Sequence, residues 1–220
     1  MAGDPIEYFN WDFLRLYGQE TGKQSLNINT MLEEMERRRT SPNGVFGLNV
    51  KFDQIRNIIK NVQFGLDLVQ NCDYVIYLYR RNKIRQAVSG YKGRVRGTFN
   101  VWKSDKPPAD QDREIPFNFA GITNMLKLNA DIEKQWLDSF EERGISYYRV
   151  SFEDLLADFH GTLAGVLDYM EIAHDPAALP EPPTQPVRDW RDERLLQQYL
   201  QHLDPDGAVL TPAAPGGETG

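Results

Sequence analysis

Apolar and polar positions change period several times along this 220-residue chain, and each change marks an element. Thr30, followed three residues later by Glu33, forms a capping box at the head of TMLEEMERRR, and the turn SPNG, Ser41 to Gly44, closes that short helix. GVFGLNV, Gly44 to Val50, holds β-branched and aromatic residues between turn signals and predicts a strand, while FDQIRNIIKNVQFGLDLVQ after it has helical spacing. DYVIYLY, Asp73 to Tyr79, is a nearly continuous apolar run, which predicts a strand buried on both faces of a parallel sheet. The period then switches, and Ile84, Ala87, Val88, Tyr91 and Val95 fall on one helical face.

KSDKPPADQDREIP, Lys103 to Pro116, predicts a polar, flexible loop. From about Phe119 a long amphipathic helix follows, with Ile122, Met125, Leu126, Ile132, Trp136, Leu137 and Phe140 as its buried stripe. Gly144 stops it and ISYYRVS supplies another strand, after which Ser151 and Asp154 cap a helix bearing Leu155, Leu156, Phe159, Leu163, Val166, Leu167 and Met170. The linker LPEPPTQPV precedes a helix around Trp190 to His202, and TPAAPGGETG is expected to be disordered. Strands alternating with helices predict an α/β fold with a parallel sheet flanked by helices. Residues 1–172 are expected to form that domain, and 173–220 the linker, C-terminal helix and tail.

Composition removes several classes of function. No run of about 18 apolar residues could span a bilayer, so no transmembrane segment is expected. MAGDPIEYFNWDF has neither the basic leader nor the apolar core of a signal peptide, and the single Cys72 forms no internal disulfide, which together predict a cytoplasmic protein. His160, His174 and His202 are scattered without ligand spacing, and no metal is expected.

Charge points to a ligand class. Eight basic residues and no acid lie between Tyr74 and Ser104, leaving 17 basic against 32 acidic residues elsewhere in a chain of net charge −7. An acidic remainder repels a long polyanion over about 8 to 10 Å, so a compact anion fits this island and nucleic acid does not; the plainer reading is a solvated helix face. In open parallel sheets, anions bind beyond the carboxyl ends of strands near helix N-termini. Arg80 and Arg81 stand at such a junction. Arg85, Ser89, Lys92 and Arg96 recur at intervals of 4, 3 and 4 on the helix that follows, a face that could hold a phosphate.

YLYRRNKIRQAVS, with Arg81 eight residues before Ser89, resembles the segment by which PAPS-dependent sulfotransferases bind the 3′-phosphate of the sulfate donor. The order DPIEYF, SPNGVFGLNVKFDQ, YRRNKIRQAVS, the long helix with Trp136, ISYYRVSFEDLLAD and PVRDWRDERLLQQY is similar to the bacterial trehalose 2-sulfotransferase type over about residues 3 to 200. That resemblance implies a P-loop-like sulfotransferase fold and a co-substrate, PAPS (3′-phosphoadenosine-5′-phosphosulfate), whose 3′-phosphate would meet Arg81 and Ser89. It implies Glu7 of DPIEYF as general base, and a carbohydrate or glycolipid acceptor, a trehalose-like sugar among them. Without the resemblance, Glu7 reads as a first-turn acid favoured by the helix dipole.

The chain departs from the pattern in two places. Asn49 of GLNVKF stands where the family is expected to favour lysine. No Ser- and Gly-rich loop for the 5′-phosphosulfate precedes DPIEYF, so the fold is expected to be N-terminally incomplete and the activity is in doubt, since such a loop supplies the electrostatic stabilisation of the leaving group. A truncated coding sequence and a degenerate homologue both account for it, and a catalytically inactive nucleotide- or anion-binding module is the alternative function. A kinase would want a P-loop lysine and carboxylates for magnesium, and neither pattern occurs. Homodimer formation stays open.

Overall fold

The computed structural model describes residues 5–22, 25–97, 114–182 and 190–205. They divide into two compact units, one of residues up to Tyr79 with Ile132–Pro180, the other of Arg80–Asp131 with the residues from Glu181. Trp102, Lys103, most of the expected 103–116 loop, much of the proline-rich linker and the tail lie outside the described residues.

In the first unit, α1 (Trp11–Thr21) starts at the N-cap Asn10 and stops at Gly22, whose φ of 67° suits a residue without Cβ. Helix α2 (Ile28–Arg39) is capped by Asn27, whose side chain accepts the Thr30 N–H at 3.1 Å, so the helix begins before the expected capping box. Tyr8, Phe9, Leu14, Tyr17, Met31, Leu32 and Met35 form their common core. The stretch Gly44–Val50 is not a strand of the sheet. Leu48 makes one isolated parallel bridge with Ile6, and the Asn49 N–H donates to the Ile6 carbonyl at 2.9 Å. Phe46, Leu48 and Val50 turn to the α1–α2 core, so side-chain burial, rather than a ladder, holds this segment extended.

The helix expected after it is broken into α3 (Phe52–Gln54), a π-helical turn (Ile55–Ile59) and α4 (Val62–Gln70). Lys60 adopts φ 57° between them, and Asn61 restarts the chain by accepting the Phe64 N–H at 3.0 Å. The close approach of α4 to the π turn needs Gly65: a Cβ there would lie 2.6 Å from Ile55 Cδ1 and nearer still to Cγ2. Gly65→Ala is therefore expected to destabilise the protein by about 1 to 3 kcal/mol, read as a lower urea midpoint at unchanged slope.

Strands β1 (Ile76–Tyr79) and β2 (Tyr148–Ser151) pair in parallel, Ile76 opposite Tyr148 and Tyr79 opposite Ser151. The expectation that β1 is buried on both faces is corrected. Tyr77 packs into a cluster with Phe52, Ile55, Trp136 and Phe140, whereas Ile76 and Leu78 on the other face are 40% and 60% exposed. A parallel strand is apolar throughout when helices cover both faces, and here one face is covered. Helix α6 (Phe119–Arg143) ends where Gly144 takes φ 62°. The single helix expected after β2 is two, α7 (Phe152–Ala157) and α8 (Phe159–Tyr169). Asp158 leaves helical geometry (φ −148°, ψ 89°) to accept the Gly161 N–H, while Ser151 caps α7.

The second unit gathers α5 (Lys83–Arg96), the first half of α6 and α9 (Trp190–Leu203). Ala87, Val88 and Tyr91 are buried with Ile122, Met125, Leu195, Leu196 and Tyr199, and Ile84 and Val95 pack on that cluster, as the spacing predicts. Ile115, at the end of the expected polar loop, is fully buried in it. Arg194 Nη2 donates to the Ile115 carbonyl at 2.9 Å and the Tyr91 hydroxyl to that of Pro116 at 2.8 Å. The described protein is thus rich in helix around a small parallel sheet, compatible with an α/β sulfotransferase fold.

Candidate active site

Glu7 follows the Ile6–Leu48 bridge and lies four residues ahead of α1, its carbonyl accepting the Asn10 N–H at 3.0 Å. It is therefore not a first-turn helical acid. Lys51 Nζ stands 2.6 Å from one carboxylate oxygen, and Gln54 Nε2 donates to the other at 2.8 Å. The Asn10 side chain adds a hydrogen bond. Because Asn10 Oδ1 already accepts the Asp12 N–H at 2.9 Å, its amide nitrogen is the group that faces Glu7.

Burial pushes the Glu7 carboxyl up, but the hydrogen bond and charge of Lys51, with the hydrogen bonds of Gln54 and Asn10, outweigh it and leave the group below its ordinary value of 4.5. At neutral pH it is a carboxylate, the protonation state that can accept a proton from a substrate hydroxyl.

The sequence singles out Glu7 but neither Lys51 nor Gln54. The available signal was KFDQ directly after GLNV, with Lys51 two residues beyond Asn49 on an extended segment. Alternation puts 49 and 51 on one side, while Leu48 and Val50 face the core. The positive charge expected at 49 is carried at 51.

Arg81 and Ser89 both belong to the second unit. Arg81 is exposed in the turn between β1 and α5, one residue ahead of the N-cap Asn82, whose side chain accepts the Arg85 N–H at 2.9 Å. Ser89, half-buried, is the seventh residue of α5, about 9 Å along the axis from Lys83. A guanidinium, a hydroxyl and the positive end of a 14-residue helix are groups suited to a phosphate.

The wider basic face of α5 is not available as the sequence suggests. Arg85 grips the Glu193 carboxylate with both terminal nitrogens, at 2.5 and 3.1 Å, and Lys92 meets Asp192 at 2.5 Å. The Lys92 and Asp192 side chains are only 7% and 12% exposed. A buried ammonium demands a counter-charge, and the adjacent acids of α9 provide it. The signal was the DE pair in RDERLL, an acidic step at the start of an otherwise apolar-faced helix. Two of the cations counted as an anion site are thus internal ion pairs.

Among the described residues, no group of His, Cys, Asp and Glu is placed to hold a metal ion, and no helix is long and apolar enough to cross a membrane. In comparisons with known families, the profile described as Stf0 sulphotransferase matches residues 1–202. No curated protein matches the sequence.

Proposed function

The chain belongs to the Stf0 sulphotransferase family, and on that premise we propose that it transfers sulfonate from PAPS to a hydroxyl of a carbohydrate or glycolipid, a trehalose-like sugar included. The observation that carries the reading is Glu7, an ionised carboxylate held by Lys51, Gln54 and Asn10. A sugar hydroxyl is a poor nucleophile, and a carboxylate within hydrogen-bond reach takes its proton as the oxygen attacks. The new oxygen–sulfur bond forms as the bond from sulfur to the departing phosphate breaks, the electron pair leaving with that phosphate. The proton ends on Glu7.

Arg81 and Ser89 are assigned to the donor's 3′-phosphate. The guanidinium offers two parallel hydrogen bonds and the serine hydroxyl a third, which anchors the nucleotide without taking part in bond exchange.

Titrating the product nucleotide, adenosine 3′,5′-bisphosphate, calorimetrically into the protein and into Arg81→Ala tests this. Charge-assisted hydrogen bonds contribute about 1.5 to 3 kcal/mol, so the variant is expected to bind about 10- to 100-fold more weakly. Equal affinities would remove Arg81 from the site.

A further inference from the structure

Glu7 is surrounded by donors from separate places in the chain, and their number is informative. An ionised carboxylate offers about four lone-pair positions over its two oxygens. Lys51 engages Oε1, Gln54 engages Oε2, and Asn10 adds a third bond. About one position is left, matching a base that accepts one proton from one hydroxyl. Lys51 caps α3 and Gln54 ends it, so a three-residue helix presents both groups to the same carboxylate.

Gln54 is the more telling of the two. Its residue is 6% exposed, and its Oε1 is buried without a hydrogen-bond partner. The amide cannot be turned round to cure this, because a carboxylate accepts only and the nitrogen must face it. A buried orphan acceptor costs about 1 to 3 kcal/mol. The side chain thus carries a lasting penalty in order to keep one N–H on Glu7. The chain changes from α to π winding directly after it, and such turns recur at functional sites.

We propose that Lys51 and Gln54 are positioning residues for Glu7, clamping its two carboxylate oxygens so that one remaining lone pair is aimed at the acceptor hydroxyl. This rests on Glu7 being the base in the reaction proposed above. The charged group facing Glu7 is Lys51, from the segment before α3; the neutral groups are Gln54 from α3 and Asn10 from the start of α1.

The test labels the full chain with carboxyl-13C glutamate and identifies the Glu7 resonance by its loss in Glu7→Gln. In Lys51→Met and in Gln54→Leu, the Glu7 titration midpoint is expected to move up, and Lys51→Arg to bring it back. With PAPS and trehalose as substrates, the acid limb of the kcat profile should move up with the midpoint. kcat should fall by up to about 10²-fold while KM for PAPS stays within about twofold, the pattern of a misaimed base rather than of lost binding. A Glu7 midpoint unmoved in both Lys51→Met and Gln54→Leu overturns the clamp. A midpoint that moves while the acid limb does not would remove Glu7 as the base, and the positioning role with it. If the protein turns over no substrate, the reading of sulfonate transfer falls, and the resonance still decides the clamp.

Discussion

Glu7→Gln is expected to lower kcat for sulfonate transfer by about 10²- to 10⁴-fold while leaving the affinity for adenosine 3′,5′-bisphosphate unchanged. Glutamine fills the same volume but cannot accept a proton at pH 7, so the loss isolates proton transfer. The fold should survive. Lys51 is half exposed and can return to water when its partner is neutral, and the new amide oxygen can still accept from Gln54. A fall in kcat with intact nucleotide binding would place Glu7 on the reacting hydroxyl; unchanged turnover would dismiss it.

The same variant has a pH signature. Glu7 lies below its ordinary value of 4.5 in the folded protein, so between the two values the unfolded chain binds more protons. Its contribution to stability is complete above 4.5 and drains away as pH falls through the folded value. Comparing urea midpoints at neutral and acid pH, the wild-type advantage over Glu7→Gln should shrink on acidification.

Asp192→Ala is the second large effect, expected on stability rather than on chemistry. It leaves the Lys92 ammonium buried with its carboxylate gone, and breaking one side of a buried ion pair costs about 3 to 5 kcal/mol. The loss should appear as a lower urea midpoint. The double replacement Lys92→Met with Asp192→Leu removes both charges and fills the space, and should recover most of that loss. A single variant as stable as the wild type would mean that Lys92 reaches water more easily than its 7% exposure suggests. Arg85–Glu193, the neighbouring link, is more exposed at 31% and 48% and contributes less.

These ion pairs show where the sequence was legible and where it was not. The apolar face of α5, the start of α9 at Trp190 and the stop at Gly144 follow from spacing and from one residue's backbone freedom, so local information sufficed. The basic face of α5 is equally periodic, yet its meaning depends on acids a hundred positions away, and no local pattern carries that. GVFGLNV has strand composition, but composition specifies no partner, and Leu48 finds only Ile6. Asp158 suits a helix interior poorly and a cap well, which is why one expected helix became two. In the candidate site, Glu7 stood out through DPIEYF. Gln54 did not, because its role arises from a contact 47 positions apart.

The π turn at Ile55–Ile59 bears on how this segment can vary in length. A turn closed from i to i+5 holds one residue more than an α turn, so it is geometrically a one-residue insertion. Deleting a single residue there would restore ordinary winding and rotate everything after it by about 100° relative to Gln54. Gly65 would no longer face Ile55, and the helix beyond would offer its polar side to the core. A loop of comparable length absorbs such a deletion; this segment is intolerant of it, with the spacing between Gln54 and Gly65 set to the residue.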